Sequence, residues 1–169
     1  MANWRAAPGA DGASSGAAWG DRRSAVLASR SVAFDLDDLP RGVTDFLTER
    51  HLASLTVVRD DGSPQVTPVG VTWDGATGTA RVITWDASIK ARLVARSPGT
   101  PVAVCQVDGG RWLTLYGRAT VTDEPGAVAE AVTRYAERYR QPKQRPDRVV
   151  IEIDVDRIVG RAPDPEEQA

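Results

Sequence analysis

Six short apolar segments are the feature that most constrains the fold of this chain. They cover residues 52–58, 64–73, 80–85, 101–107, 111–122 and 148–160. Turn sequences such as "RDDGS" and "DGG" join neighbouring segments, and they are too short for the crossover that parallel strands require. The last segment alternates apolar and acidic residues, which indicates a strand with one buried face. The pattern therefore predicts a mainly antiparallel sheet.

Three segments with apolar residues three or four apart predict helices. They are "LDDLPRGVTDFLTERH", "SIKARLVARS" and "EPGAVAEAVTRYAERYR". The first helix begins near Pro40, and Pro98 and Gly99 stop the second. Few helices among six strands predict a small antiparallel barrel, mainly β in class and α+β by content, with the helices packed outside.

Composition bounds the domain organisation. A chain of 169 residues suffices for one core, which we assign to residues 32–160. Residues 1–31 are rich in Ala, Gly, Ser and Arg and predict a disordered tail, and residues 161–169 predict a flexible one. The net charge of −2 gives no support for a nucleic-acid partner. A single cysteine and the lack of an apolar run of about 20 residues favour a cytoplasmic protein without a membrane span.

Reactive side chains are few. His51 is the only histidine, which excludes a histidine metal cluster and a triad built on another histidine. We expect His51 to cap the first helix and Cys105 to be buried in its strand. No carboxylate pair indicates an acid and a base. We therefore predict no catalytic side chain and no metal, and an enzyme of this kind would take its chemistry from a cofactor.

The segment "PQVTPVGVTW" (64–73) predicts an irregular strand. Pro64 and Pro68 have no N–H to donate, and Gly70 has no side chain. Such a strand pairs only in part, so we expect it at a sheet edge or beside a group that approaches its backbone closely.

The segment "TWDASIKARL" (84–93) contains Lys90, one of two lysines in a chain with nineteen arginines. It leads from a strand into a helix, whose first N–H groups and dipole favour an anion. Thr84, Ser88 and Lys90 would add two hydroxyls and an ammonium, which suits a phosphate group. The alternative is that Asp86 or Ser88 is an ordinary N-cap and Lys90 is solvated.

Three phrases, "DGSPQVTPVGV", "VITWDASIKARLVARSPGTPVAV" and "GGRWLTLYGRATVTDEP", resemble in order and spacing the pyridoxamine 5′-phosphate oxidase-like split barrels. The resemblance covers residues 36–160 and is strongest to the actinobacterial branch that uses the deazaflavin coenzyme F420. It implies a six-stranded antiparallel split β-barrel of the FMN-binding-like fold. It also implies a homodimer with a cofactor at each of two interface sites.

The resemblance assigns cofactor contacts residue by residue. Ser88 and Lys90 fall on the phosphate motif, and Thr84 falls on a hydroxyl position just before it. Arg92 matches a basic position beyond the lysine. Trp112 falls where the second subunit reaches the ring. The stretch beneath the ring comprises Thr67, Pro68, Val69 and Gly70.

Departures from the family pattern bear on the cofactor. The phosphate motif has a basic residue where this chain has Ile89. The flavin oxidases have Arg and Lys where this chain has Thr67 and Thr72. Losing three basic groups weakens the case for tightly held FMN and favours F420.

The resemblance therefore implies an oxidoreductase in which hydride from F420 reaches a small conjugated or quinone-like acceptor. An FMN-dependent oxidase or reductase on the same fold is the first alternative. A non-catalytic protein that carries or senses the cofactor, haem or another tetrapyrrole is the second.

Overall fold

The computed structural model describes residues 32–162. The predicted tail at 1–31 lies outside this range, as does the predicted tail at 161–169 except for its first two residues, of which Arg161 belongs to the last strand. The described chain has eight strands and three helices, and each helix lies close to its sequence prediction. The elements are, in order, β1 (Val32–Phe34), α1 (Arg41–Thr48), β2 (Ala53–Val58), β3 (Pro64–Val69), β4 (Thr72–Asp74), β5 (Thr79–Trp85), α2 (Ile89–Arg96), β6 (Thr100–Asp108), β7 (Arg111–Thr122), α3 (Pro125–Arg138) and β8 (Arg148–Arg161).

All strand pairs are antiparallel and belong to one sheet, in the order β3-β2-β6-β7-β8-β5-β4, with β1 paired to β8. The two outermost strands, β3 and β4, are separated in the chain only by Gly70 and Val71. The sheet must therefore curl until its two edges approach each other. This confirms the split-barrel fold class. The strand count is eight rather than six, because the segment 64–73 divides in two and β1 was not predicted.

The division of the segment 64–73 has a packing cause. A Cβ atom on Gly70 would lie 2.6 Å from Cε2 of Tyr135 and 3.1 Å from Cε2 of Tyr139, both of which project from the end of α3. The Tyr139 hydroxyl donates to His51 O at 2.6 Å and accepts from Val71 N at 3.1 Å. The close neighbour expected at Gly70 is thus α3, and the edge position expected for this strand is confirmed.

The barrel interior is filled from alternating strand positions and from one face of α1. Val43 and Phe46 are fully buried on α1, and Leu47 is buried beside them. Because α1 is only eight residues long, its stability comes from this packing and not from its own hydrogen bonds. None of the three described helices is long and apolar enough to cross a bilayer.

Candidate cofactor site

Two predicted hydroxyls meet where β5 leads into α2. Ser88 is the N-cap of α2, and its Oγ accepts from the backbone N–H of Ala91 at 3.3 Å. Thr84 Oγ1 donates to the same oxygen at 3.1 Å. Both residues are almost fully buried. The expected N-cap role of Ser88 is therefore real, and it fixes the hydroxyl pair at the positive end of the helix.

Lys90 is a buried cation without an anion. The residue is only 8% exposed, and no carboxylate or carbonyl among residues 32–162 pairs with its ammonium. Its one recorded contact is with the ring of Trp85, whose centroid lies 5.0 Å from Nζ. Burial lowers the pKa of Lys90 because the charged form loses hydration. The alternative of a solvated surface lysine is therefore wrong.

The ammonium of Lys90 opens into a cavity. Among the described residues, Trp73 Nε1 is the only fully buried side-chain nitrogen or oxygen that lacks a hydrogen bond. Lys90 Nζ also lacks a hydrogen bond, so this atom must keep some accessible surface. The adjacent cavity has a volume of about 270 Å³. Its walls combine five predicted site residues with six others: Pro68, Val69, Gly70, Thr84 and Lys90, together with Ile83, Trp85, Tyr135, Pro142, Arg145 and Arg148.

Two arginines that sequence reasoning missed add positive charge to this cavity. The Arg145 guanidinium lies 5.1 Å from the Trp85 ring centroid and pairs with Asp147 at 2.7 Å, which raises the pKa of Arg145. Arg148 donates to the carbonyl of Lys143 at 2.5 Å and forms no direct ion pair among residues 32–162, although its charge helps to lower the pKa of Asp147. Both belong to a segment without a recognisable motif, more than fifty residues from Lys90. Only folding brings them together.

Four predicted residues do not line the cavity, and one of them is the buried N-cap Ser88. Thr67 pairs with Leu55, so its side chain is on the inner face of the sheet, and its Oγ1 accepts from Gln65 Nε2 at 3.3 Å. Arg92 is exposed on α2. Trp112 pairs with Arg161, at the far end of β8 from the cavity. Their roles stay predictions, and Trp112 could meet such a cavity only in another copy of the chain.

His51 and Cys105 lie away from the cavity. The His51 Nε2 atom is 2.8 Å from a Glu49 carboxylate oxygen, so the histidine follows α1 without capping it. The same carboxylate binds Arg111 at 2.8 Å, and this ion pair lowers the pKa of Glu49. Cys105 is half-buried on the outer face of the sheet rather than in the core.

The residues around the cavity fit a cofactor that carries a phosphate group. A buried ammonium without an anion costs free energy, and a phosphate bound beside it would remove that cost. The two guanidiniums of the same cavity are further donors for this group, whereas the hydroxyl hydrogen of Thr84 is already donated to Ser88. Pro68, Val69 and Gly70 form another part of the cavity wall.

Comparison with known proteins gives one family and several similar chains. The family described as pyridoxamine 5′-phosphate oxidase matches residues 39–161. An "F420H(2)-dependent biliverdin reductase" of Mycobacterium tuberculosis (strain CDC 1551 / Oshkosh) is 53% identical over 117 residues, or 69% of this chain and 84% of that protein.

Solved structures are similar in fold. An F420 reductase matches with a TM-score of 0.58 at 26% identity, over 71% of this chain and 98% of the other. A conserved hypothetical protein from Mycobacterium tuberculosis matches with a TM-score of 0.62 at 22% identity, over 74% of this chain and 86% of the other.

Proposed function

Since this chain belongs to the pyridoxamine 5′-phosphate oxidase family, we propose that it is an oxidoreductase that uses coenzyme F420 to reduce a small conjugated acceptor. The relative that is 53% identical, named for F420H(2)-dependent reduction of biliverdin, supports both the cofactor and an acceptor with an extended conjugated system. The structural observation that carries the proposal is the buried ammonium of Lys90, which has no anion and opens into a cavity.

In this proposal the chain binds and orients the cofactor. Lys90, with Arg145 and Arg148, holds the phosphate group, and Ser88 and Thr84 add hydroxyl contacts. The Pro68–Gly70 stretch lies against the ring. When bound, the cofactor supplies a hydride, and the protein excludes water and aligns the acceptor. No side chain of the chain is assigned a covalent or proton-transfer role.

The charge distribution around the site favours F420 over FMN. The basic residues that hold FMN in the flavin oxidases are replaced by Thr67, Thr72 and Ile89, of which Ile89 is 60% exposed. Thr72 is buried and carries no positive charge. The remaining cations lie around Trp85: Lys90 and Arg145 contact its ring, and Arg148 is its partner in the strand pairing.

We also propose a homodimer, supported by the outer face of the sheet. Val66 and Val107 are more than half exposed there, and the paired outward positions between them carry small or apolar groups. Trp112 lies directly opposite Val107 on this face. Pairing of two such faces would cover them and could carry Trp112 of a second copy to the cavity. A cytoplasmic location stays a prediction.

The deciding experiment is a fluorescence titration of the purified protein with F420, beside FMN and FAD. We expect F420 to bind at micromolar protein and FMN to bind weakly. A protein that purifies yellow, or that binds FMN tightly and F420 not at all, would establish the FMN-dependent alternative. Reduced F420 is then mixed with biliverdin and with quinones. Binding of F420 without turnover of any acceptor would favour a non-catalytic carrier.

A further inference from the structure

Trp85 lies between the three cations that border the cofactor cavity. The Lys90 Nζ atom is 5.0 Å from the centroid of its ring, and the Arg145 guanidinium carbon is 5.1 Å from the ring. Trp85 also pairs with Arg148 where β5 meets β8. Lys90 and Arg145 come from separate segments of the chain, and both contact this one aromatic ring beside the cavity.

Core packing does not account for the position of Trp85. It is the last residue of β5, it is 41% exposed, and it does not belong to the buried core. The face of an aromatic ring is electron-rich and attracts a cation that lies over it. Among residues 32–162 this ring is the one recorded partner of the Lys90 ammonium. The contact therefore offsets part of the free energy that burial of the charge costs.

A second set of contacts fixes Arg145 beside the ring. Its Nε and Nη2 atoms donate to the two carboxylate oxygens of Asp147 at 2.8 Å and 2.7 Å. The Asp147 carbonyl accepts from the backbone N–H of Asp86, the residue after Trp85, at 3.0 Å. The segment 141–148 is thus attached to the turn before α2, and Nη1 of Arg145 has no recorded hydrogen bond to residues 32–162.

We propose that Trp85 is a positioning residue of the phosphate subsite, whose ring holds the Lys90 and Arg145 side chains in place before the cofactor binds. This inference rests on the proposed function and adds to it a residue that acts through two cations. Side chains that are already ordered lose less entropy when a ligand binds. The ring also recruits a cation from a distant segment, although the phosphate motif has Ile89 in place of its own basic residue.

Lysine NMR tests the contact without any cofactor. Lysine labelled with ¹³C gives side-chain signals from Lys90 and Lys143 alone, and the exposed Lys143 is the internal reference. Trp85→Phe and Trp85→Leu both remove bulk, but only phenylalanine keeps an aromatic face. We expect the pKa of Lys90 to be higher in Trp85→Phe than in Trp85→Leu by about 0.5.

A ring that only covers Lys90 predicts the opposite order. Water would then reach the ammonium at least as well in Trp85→Leu, and the pKa of Lys90 would be equal or higher in that variant. Either result would overturn the proposal. Trp85→Met replaces Trp85→Leu if the leucine variant does not fold. Every other titratable group is the same in these variants, including those nearest the cavity: Asp86, Arg92, Tyr135, Arg145, Asp147 and Arg148.

Titration with oxidised F420 tests the role in binding. Trp85→Leu should weaken F420 binding about fivefold, and Trp85→Phe should restore most of the affinity. The effect of Trp85→Leu should be smaller when Arg145→Gln is also present, because one of the two held cations is then absent. Equal effects with and without Arg145→Gln would show that the ring contacts the cofactor directly, and would overturn the positioning role.

Trp73→Phe is the matched control. Trp73 is a half-buried tryptophan that does not line the cofactor cavity, and its Nε1 has no hydrogen bond to lose. This variant should match the wild type in F420 affinity and in the Lys90 titration, with thermal unfolding as the check on folding. Failure of the wild type to bind F420 would reject the proposed function, whereas the lysine titration would still decide whether the ring holds Lys90.

Discussion

Two cations in this molecule, the buried Lys90 and the half-buried Arg138, have opposite surroundings, although desolvation lowers the pKa of both. Arg138 donates to Val71 O at 2.6 Å, to Glu49 O at 2.8 Å and to Gln106 Oε1 at 3.2 Å. Lys90 has no such acceptor among residues 32–162. Arg138 thus joins α3 to the loop after α1 and to the bend before β4. The contrast distinguishes a hydrogen-bonded charge that joins parts of the fold from an unpaired charge that lies beside a cavity.

The largest effect is expected from removing Arg138, the cation whose hydrogen bonds are satisfied. Arg138→Ala leaves the buried Gln106 oxygen without its donor and removes one of the donors to Glu49 O and to Val71 O, so we expect the free energy of unfolding to fall by about 3 kcal/mol. Urea unfolding measures the change. Arg140→Ala, an exposed neighbour, should stay within about 0.5 kcal/mol of the wild type. A loss of similar size in both variants would show that Arg138 contributes only as a surface charge.

Removing Lys90 should affect binding and leave the fold intact. Lys90→Ala should weaken F420 binding by about 1.5–3 kcal/mol, because a charge-assisted contact to phosphate is lost. Fluorescence titration measures the affinity, and circular dichroism checks the fold. Arg92→Ala is the control for a nearby cation that does not line the cavity. Unchanged affinity in Lys90→Ala would reject the phosphate role of this segment.

Tyr139, like Arg138, makes hydrogen bonds that stabilise the fold and do not involve the cavity ligands. Its hydroxyl bridges His51 O and Val71 N, while the Tyr135 hydroxyl has no hydrogen bond to a described residue. We expect Tyr139→Phe to destabilise the fold by about 1 kcal/mol and Tyr135→Phe to have a smaller effect. Thermal and urea unfolding of the two variants distinguish them. Equal destabilisation would contradict the assigned difference.

The smallest expected effect is a pH dependence of stability. The pKa of Lys90 in the folded protein is below that of an unfolded lysine, so the unfolded chain binds the proton more tightly. Without a bound anion, the penalty for burying the charge is present at neutral pH and disappears as the pH rises through the lowered pKa toward the ordinary one.

Lys90→Met should therefore unfold at higher urea than the wild type at pH 7, and this advantage should shrink toward pH 10. Subtracting the stability of the wild type from that of Lys90→Met at each pH cancels the contributions of the other titrating groups. An advantage that grows with pH would contradict the sign. Saturating F420 should reverse the order at pH 7, because only the wild type gains the ion pair.

Much of the architecture follows from local sequence patterns. The alternation in β8, the Asp-Gly turns and the apolar stripe of α3 each predict their element without knowledge of the rest. The irregular strand at 64–73 also follows from the chemistry of proline and glycine. The strand β1 was missed because three residues carry no readable period, and its pairing with β8 depends on a partner more than one hundred residues away.

The candidate site also combines residues that a local sequence pattern predicts with residues that no local pattern predicts. Thr84, Ser88 and Lys90 lie within seven residues, so the strand-to-helix geometry alone predicts that they share one site. Arg145, Arg148 and Tyr135 have no local signal, because an arginine in a polar segment and a tyrosine on an amphipathic helix are common where no site exists. Trp112, Thr67 and Arg92 were assigned from resemblance, and their roles stay predictions.

By itself the sequence determined the antiparallel class, the irregular edge strand and the helix start at Ser88, because each arises from interactions between residues close in the chain. The tertiary structure alone decided that Lys90 is left without an anion, that α3 covers Gly70, and that the segment 141–148 adds its cations to the same cavity. These facts depend on contacts between distant segments, and desolvation acts on a charge only after those segments have packed around it.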